Sequence, residues 1–566
     1  LFSKGTLGMQ AEMTNYIQSI AKTPLFVALD GEWGLSMRLT DAPKFPRNLI
    51  IGAIHDEEAL KQYGKEVARQ CREMGIHINF APSIDVHSNP QKPVIGTRSF
   101  GKNPKNVAKQ GIIFAKGMEE NGVLAVAKHF PGHGDTFEDS HRTLPTITHN
   151  MSRLDSVELY PFRQYINAGL SGMMLGHLDV PALNTNGLPA SLSFNIGQKL
   201  LKDQLGFTGI TFTDGMAMKS VSTQPEMSVK ALLAGNDIVL GVVNQEREFA
   251  QVKQAVGKGI ISQQMLENKV RRVLTYKYIL NVHNFKPINT RTLSRNIHTP
   301  ESEWTQRKIY DKAITMVKNT DSILPITALD KNRIASVSIG VSSQNTFQKW
   351  LKKYAAITTF YATSTENLSA LSDKLKDFEF VIISIHSARA NDSQALQQLL
   401  KIAPKSVLVL FDSPYTLNNL KASADNTKSL VVAYDNTESA QMSAAQAIFG
   451  GIGFAGKLPV EAGGFEVNTG IDTKKIRLSY SLPEEVGISS DRLRGIERIA
   501  LEGIRQRAYP GCYIMVVKNG TVIYDRGFGN FEYASGSKVT DETVYDLASI
   551  TKAAATVLAI MKLYDE

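Results

Sequence analysis

The sequence predicts an α/β protein that begins with a parallel (β/α)8-type barrel. Short apolar runs typical of buried strands alternate with helical patterns up to about residue 280, and this alternation favours a parallel sheet. Several of these runs end in charged residues, at the place where α/β folds gather the groups that bind ligands. The strand-like runs are residues 25–30, 77–86, 123–127, 172–175, 209–213 and 237–242.

A second α/β sandwich domain is predicted after the barrel. The barrel is expected to span residues 1–285, and a polar linker, residues 286–302, follows it. The second domain is expected over residues 303–465. Its buried strands are predicted at residues 335–339, 381–385, 407–411 and 430–434.

The pattern of predicted helices and strands changes again over residues 482–566. Residues 490–507 have a helical pattern, and two strand-like runs, residues 513–517 and 522–525, flank Asn519-Gly520. This dipeptide between two strand-like runs is a strong signal for a hairpin. The segment is therefore predicted to be a third, partial domain.

The stretch from Lys128 to Thr136, with Asp139 and His141 just after it, contains three of the eleven histidines of the chain and two carboxylates. These residues could simply stabilise a loop through hydrogen bonds, or they could bind a metal ion. The potential metal ligands are His129, His133, Asp135 and His141, but their spacing matches no common zinc pattern. The pattern favours acid/base chemistry, because an extended segment places Asp139 and His141 on one face, where the carboxylate can orient the imidazole.

Asp214 is the candidate reactive group that the acid/base pair Asp139 and His141 would serve. It ends a short β-prone run, residues 209–213, and Gly215 follows it. A helix cap is the alternative interpretation of a carboxylate at such a position. Charged residues also follow two other strand-like segments, and together these strand ends predict one polar pocket. They are Asp30, Glu32, Arg38 and Arg98.

These residues, in this order and spacing, resemble the family 3 glycoside hydrolases, and more narrowly their β-N-acetylglucosaminidase branch. The motifs are Asp30 with Arg38, the segment Ile95 to Phe100, the string Lys128 to Thr136 with Asp139-Ser140-His141, and the Asp214 turn. The resemblance implies that Asp214 is the nucleophile and that His141, with Asp139, is the general acid/base. The sugar-binding positions that it implies are Asp30, Arg38, Arg98, Lys128 and His129.

The activity that the resemblance implies is retaining hydrolysis of terminal β-linked N-acetylglucosamine, with peptidoglycan fragments as the expected source. Asp214 would attack the anomeric carbon while His141 protonates the leaving oxygen. Two alternatives stay open. A neutral imidazole does not repel an anionic acceptor, so phosphate could replace water, and a non-catalytic muropeptide-binding protein would also use the sugar pocket.

Two features depart from the family pattern. Trp33-Gly34-Leu35-Ser36-Met37 stands where the family usually has a glycine pair and a second arginine, so the pocket wall before Arg38 is altered. The chain also opens at Leu1, where the family has its first barrel strand preceded by a helix. We therefore expect an N-terminally cropped chain in which the first strand is missing or incomplete.

Ser549 and Lys552 lie three residues apart at a predicted helix start, where an amine can activate a serine hydroxyl. With the hairpin before it, this segment resembles the opening of a serine β-lactamase or penicillin-binding-protein-like domain. The later Tyr and Lys-Thr-Gly motifs of that fold do not follow in this chain. We therefore expect no acyl transfer from Ser549.

Composition and charge restrict the classes of partner that are expected. The chain is 43% hydrophobic and 21% charged, with a net charge of +9, but its basic residues are interspersed with acidic ones, so nucleic acid is not an expected partner. No apolar run is long enough to span a membrane. Gly451 to Gly456 matches a dinucleotide fingerprint but follows no strand, so no cofactor is expected. The pairing of the two resemblances suggests the periplasm or the cell surface, and the oligomeric state stays open.

Overall fold

The computed structural model describes residues 4–88, 95–136, 143–364, 368, 370–386, 391–534 and 536–566. The chain forms two compact units, residues 1–477 and residues 478–566. The first unit contains two six-stranded sheets and the second contains one three-stranded sheet.

The first sheet is a run of parallel strands whose order in space follows their order in the sequence. Each strand lies close to a run predicted from the sequence, so the predicted parallel architecture is confirmed; the described residues supply six strands. They are β1 (Ala28–Leu29), β2 (Ile78–Asn79), β3 (Leu124–Phe130), β4 (Gly172–Leu175), β5 (Ile210–Gly215) and β6 (Ile238–Leu240).

Both faces of this sheet are buried, which explains why its strands are nearly continuous apolar runs. Successive side chains on a strand point to opposite faces. One face supplies an apolar cluster that includes Leu124, Val126, Ile210 and Phe212. The alternate residues, such as Ala125, belong to the large core shared with the surrounding helices.

The helices that accompany the first sheet extend beyond its last strand. The predicted linker, residues 286–302, contains one of them and the start of another. They are α1 (Leu7–Ile20), α2 (Asn48–Ile51), α3 (Glu57–Glu73), α4 (Pro104–Glu119), α5 (Met151–Arg153), α6 (Tyr160–Asn167), α7 (Met227–Leu233), α8 (Gln245–Gly257), α9 (Gln263–Ile279), α10 (Thr290–Ile297) and α11 (Pro300–Ala313). Two π-helical segments, Leu154–Glu158 and Asn195–Gln204, complete this set.

Helices α3 and α4 show how local sequence sets this packing. The Asp56 carboxylate accepts the N–H of Ala59 at the start of α3, and Asn103 caps α4 in the same way, with Pro104 as its first residue. Gly64 and Gly117 lie where the two helices meet. A Cβ at Gly64 would lie 2.4 Å from the carbonyl oxygen of Phe114, so only glycine allows this close approach.

The second sheet of the first unit has strand order β7-β12-β11-β10-β8-β9, with β7 antiparallel to β12 and the other pairs parallel. Four of its strands match predicted runs. The two at the edges of the sheet were not predicted. The strands are β7 (Thr315–Asn319), β8 (Ile334–Ile339), β9 (Ile357–Ala362), β10 (Phe380–Ile385), β11 (Lys405–Leu410) and β12 (Ser429–Val432).

Strands β7 and β9, which were not predicted, lie at the two edges of the sheet. The central strand β10 is buried at every residue, whereas β9 is buried only at its two end residues and carries Thr358, Thr359 and Tyr361 between them. The helices between these strands are α12 (Thr346–Leu351), α13 (Ser372–Leu375), α14 (Gln394–Ile402), α15 (Lys421–Asn426) and α16 (Glu438–Ile448).

The second unit contains β13 (Ser479–Tyr480), α17 (Ser490–Arg505), β14 (Gly511–Lys518), β15 (Thr521–Gly529) and α18 (Leu558–Asp565). Strands β14 and β15 form the predicted antiparallel hairpin. Asn519 and Gly520 connect them with φ values of 52° and 70°, which is the backbone that an Asn-Gly hairpin turn requires. Over the described part of the chain, no helix combines the length and apolarity that crossing a membrane requires.

Candidate active site

The site lies where parallel strands of the first sheet reach their carboxyl ends. Asp30 follows β1, Asp85 lies beyond β2, His129 is near the end of β3, and Asp214 is the penultimate residue of β5. Since parallel strands end at one edge of a sheet, side chains that are far apart in the sequence come together here.

A network of ion pairs links the predicted sugar-binding residues. Arg38 Nη2 lies 2.8 Å from Asp30 Oδ2, and Lys128 Nζ lies 3.1 Å from Asp30 Oδ1. Lys128 also contacts Glu32 Oε1 at 2.9 Å, and Arg98 donates to both carboxylate oxygens of Glu32. The structure thus brings Asp30, Arg38, Arg98 and Lys128 into one cluster whose centre is Glu32.

Burial makes the charges of this cluster interdependent. The side chain of Glu32 is 0% exposed and that of Lys128 is 3% exposed. Burial alone would raise the pKa of Glu32, but the positive charges of Arg98 and Lys128 outweigh it and hold that pKa well below its usual range. Burial would lower the pKa of Lys128, yet Glu32 and Asp30 keep it raised. Both groups are therefore ionised at neutral pH.

Asp85 fixes the position of His129. The Nδ1 atom of His129 lies 2.7 Å from Asp85 Oδ2, and the other imidazole nitrogen, Nε2, lies 3.4 Å from Arg98 Nη2. Burial would raise the pKa of Asp85, but interaction with His129 and His133 keeps it lowered. The ionised carboxylate of Asp85 accepts, so Nδ1 of His129 donates.

Asp85 also organises the loop that follows β3. Its Oδ1 atom accepts the backbone N–H of His133 at 2.6 Å, and its two oxygens accept the backbone N–H of His129 at 3.2 Å each. The hydroxyl of Ser83 donates to Asp85 Oδ2 at 3.0 Å. Burial, followed by the charge of His129, lowers the pKa of His133 to about 4, so His133 is neutral at pH 7.

Asp214 is held as a carboxylate at the end of β5. Burial would raise its pKa, but the charges of His129 and His177 and the backbone N–H of Gly215 lower it to about 2. The last of these is a 2.7 Å hydrogen bond to Asp214 Oδ1. The charge of Lys128 acts on Asp214 in the same direction. An ionised carboxylate beside a polar pocket is a competent nucleophile.

His177 supports the backbone at Asp214. Its Nε2 atom lies 3.1 Å from the carbonyl oxygen of Gly215, and its Nδ1 atom lies 2.7 Å from Ser191 Oγ. The sequence interpretation missed His177 and the role of Asp85. His177 lies just beyond the strand-like run 172–175, and Asp85 lies near the end of the run 77–86; these positions were the available signals.

The other predicted catalytic residues and candidate metal ligands are Asp139, His141, Asp135 and His133. Asp139 and His141 lie outside the described residues. Asp135 Oδ2 accepts from His149 Nε2 at 2.5 Å, and His133 Nδ1 lies 2.5 Å from Thr136 Oγ1. In the described part of the chain, no group of three or more His, Cys, Asp or Glu residues is arranged to hold a metal ion.

Gly134 is a position where the loop after β3 tolerates no side chain. A Cβ there would lie 1.9 Å from the carbonyl oxygen of Val86. We expect Gly134→Ala to displace the loop and lower the stability of the first unit by about 1–3 kcal/mol, seen as a melting temperature about 1–3 °C lower in differential scanning fluorimetry. Gly257→Ala is the control, because nothing lies within 4 Å of its Cβ position. Equal melting temperatures for the two variants would contradict the expectation.

In the second unit, Lys552 and Ser549 contact each other. Lys552 Nζ donates to Ser549 Oγ at 2.9 Å, and both side chains are exposed. The predicted proximity on one helical face is therefore present.

Comparison with known proteins agrees with the fold and the site. Residues 6–276 match the model of the glycosyl hydrolase family 3 N-terminal domain, and residues 496–566 match the β-lactamase model. The chain is 32% identical over 350 residues to β-hexosaminidase A of Pseudoalteromonas piscicida, covering 56% of this chain and 57% of that protein. It is 33% identical over 251 residues to a β-hexosaminidase of Nitrosospira multiformis, covering 43% of this chain and 71% of that protein.

Among solved structures, a family 3 β-N-acetylglucosaminidase from Paenibacillus sp. is similar over 81% of this chain and 93% of its own length, with a TM-score of 0.63 and 28% identity. A parallel sheet with charged side chains gathered at its carboxyl edge defines the class of α/β proteins that carry their site at the strand ends. Within that class, the chain belongs to glycosyl hydrolase family 3. It spans 57% of the length of β-hexosaminidase A of Pseudoalteromonas piscicida.

Proposed function

We propose that this protein is a retaining β-N-acetylglucosaminidase that removes terminal β-linked N-acetylglucosamine. The observation that carries the proposal is the position of Asp214 at the carboxyl end of β5, where its Oδ1 atom accepts the N–H of Gly215 and the charges of His129 and His177 keep its pKa lowered against the effect of burial. It stands beside the cluster of Asp30, Arg98 and Lys128, whose donors and acceptors suit sugar hydroxyl groups.

The proposed reaction is a double displacement. Asp214 attacks the anomeric carbon, the bond to the leaving oxygen breaks, and imidazolium His141 gives that oxygen its proton. Neutral His141 then takes a proton from water, which attacks the anomeric carbon and releases Asp214 with the β configuration retained. Asp139 is proposed to hold the imidazole of His141 in place. The roles of these two residues rest on their motif.

The choice of an acetamido sugar rests on the relatives. The curated relatives that match this chain include β-hexosaminidases, and the similar Paenibacillus structure is a β-N-acetylglucosaminidase. We propose peptidoglycan fragments as the source of the substrate, because a β-lactamase-like segment follows the glycosidase on the same chain. On the same reasoning we propose that the protein acts in the periplasm or at the cell surface.

The test is hydrolysis of p-nitrophenyl β-N-acetylglucosaminide by the purified chain, with p-nitrophenyl β-glucoside as the comparison substrate. We expect the acetamido substrate to be cleaved much faster, and His141→Ala to lose most of the activity. Sugar binding by a folded protein without any turnover would instead favour the muropeptide-binding alternative. In phosphate buffer, formation of N-acetylglucosamine 1-phosphate in place of the free sugar would identify a phosphorylase.

Asp85 is expected to act as a positioning residue. Asp85→Asn removes the carboxylate that accepts from His129 Nδ1, and losing a hydrogen bond to a charged group costs about 1.5–3 kcal/mol. We expect kcat/KM to fall by roughly 10–100-fold, because the imidazole of His129 is then no longer held in place. Ser83→Ala removes only the hydroxyl that donates to Asp85 and is expected to change kcat/KM less than about threefold. A fall of kcat/KM in Asp85→Asn no larger than that of Ser83→Ala would contradict this role.

A further inference from the structure

A cavity lies beside the charged cluster around Glu32, in the first unit. Its volume is about 430 Å³, which is within the range of small-ligand sites. One wall belongs to loops after β1 and carries Trp33, Lys44 and Arg47, and the facing wall follows β11 and β12 and carries Asp412, Tyr434 and Asp435.

Two residues that line this cavity are sequence neighbours of residues in the cluster. Trp33 follows Glu32, and Thr97, which also lines the cavity, precedes Arg98. Arg47 Nη1 donates to Thr97 Oγ1 at 3.0 Å, and its guanidinium lies 5.0 Å from the centre of the Trp33 ring. The Trp33 segment is also the place where this chain departs from the pattern of its family.

The charges on the two walls are opposite in sign and do not pair with each other. Within the described residues, neither Lys44 nor Arg47 forms an ion pair with a carboxylate, and neither Asp412 nor Asp435 forms one with a cation. Asp412 accepts from the hydroxyl of Thr416, and Asp435 accepts from the hydroxyl of Tyr310 and the N–H of Asn436. Two positive and two negative groups therefore face a cavity between them.

The acidic wall is held in a defined conformation. Tyr434 has a left-handed backbone with φ of 65°, unusual for a residue other than glycine, and its hydroxyl lies 2.7 Å from Thr315 Oγ1. A constrained backbone of this kind, kept by its surroundings, is common at ligand sites. It sets the direction of the chain immediately before Asp435.

We propose that this cavity binds a zwitterionic peptide. Its ammonium group would lie against Asp412 and Asp435, its carboxylate against Arg47 and Lys44, and its apolar part against Trp33. A rigid site with separated charges of both signs favours a ligand whose charges have the opposite arrangement. The peptide has two possible sources: it is part of the saccharide substrate, or it is free in solution. The first source rests on the glycosidase function proposed above.

The direct test uses the tripeptide L-Ala-γ-D-Glu-L-Lys as the probe in calorimetry with the intact chain. We expect binding that weakens at least fivefold in Asp412→Asn, Asp435→Asn and Arg47→Gln. Binding should also weaken when the lysine amine of the probe is acetylated. Asp330→Asn and Lys331→Gln, on an exposed turn away from the cavity, are the matched controls and should bind like the wild type. Absence of binding, or equal weakening in the controls, overturns the proposal.

The kinetic test separates the two sources. The substrates are N-acetylglucosaminyl-β-1,4-N-acetylmuramic acid with and without the same tripeptide. If the peptide is part of the substrate, KM is lower for the peptide-bearing compound by at least fivefold, and the Asp412 and Asp435 variants remove that difference while leaving the peptide-free compound unaffected. Equal KM values with binding of the free tripeptide support a free ligand. Failure to cleave either compound contradicts the glycosidase function alone, since calorimetry decides the peptide site.

Discussion

Asp214→Asn is expected to lower kcat/KM for p-nitrophenyl β-N-acetylglucosaminide by about 10⁴-fold or more, the scale seen when a nucleophile is removed from a covalent mechanism. Asn has the shape of Asp and can still accept the N–H of Gly215, so the fold should be retained. An amide oxygen, however, cannot form the glycosyl ester. Sugar binding, measured by calorimetry with N-acetylglucosamine, should persist within about tenfold because Asp30, Arg98 and Lys128 are unchanged.

The control for this substitution is Asp203→Asn, an exposed carboxylate that contacts only Gln198 in the described part of the chain. It should retain full activity. Asp214→Ala with added azide provides a second test, because azide entering from the side of the missing carboxylate yields an α-glycosyl azide. More than 1% residual activity in Asp214→Asn, without deamidation, would contradict the assignment of the nucleophile.

The lowered pKa of Asp214 also predicts the pH profile. Because that pKa is about 2, the carboxylate is ionised throughout the range above about pH 4. A decline of kcat/KM on the acid side between pH 4 and 7 must therefore come from another group. We expect no inflection attributable to Asp214 in a profile measured from pH 4 upwards.

Glu32→Gln is expected to produce the largest loss of stability. The substitution leaves the buried Lys128 with one carboxylate partner fewer. It also removes the carboxylate that accepts two hydrogen bonds from Arg98. Removing one member of a buried ion pair typically costs 3–5 kcal/mol, because the remaining charge is desolvated without compensation. For a unit of this size we expect the melting temperature to fall by roughly 3–5 °C, measured by scanning fluorimetry at pH 7.

A surface ion pair gives the matched control. Glu461 lies 2.7 Å from Lys102, but its side chain is 59% exposed. Glu461→Gln makes the same chemical change and should shift the melting temperature by less than about 2 °C, since water already screens this pair. Similar shifts in the two variants would refute the importance of burial at Glu32.

The stability provided by Glu32 should depend on pH in one direction. Its pKa in the folded state lies below the unfolded value of about 4.3. The contribution is therefore fully present above the unfolded pKa and is lost as pH falls through the folded pKa. We expect the difference in melting temperature between the wild type and Glu32→Gln to be constant above about pH 5 and to shrink as the pH is lowered below about 4.

The sequence by itself determined the parallel architecture. Strands buried on both faces are mostly apolar, so the apolar parts of β3, β10 and β11 are visible as runs in the sequence. The edge strand β9 lacks that pattern, since only its two end residues are buried. The hairpin at Asn519-Gly520 was predictable because the turn requires residues that accept positive φ. All of these features depend on residues that are close to one another in the sequence.

Only the tertiary structure determines which charged side chains contact each other. The sequence placed Asp30, Glu32, Arg98, Lys128 and Asp214 at strand ends, but nothing in it indicated that Glu32 bridges Lys128 and Arg98. It also did not indicate that Asp85 holds His129, or that Asp412 and Asp435 face Arg47 across a cavity. These partners are separated by tens to hundreds of residues. Periodicity reports which face of an element is buried and carries no information about which other element covers that face.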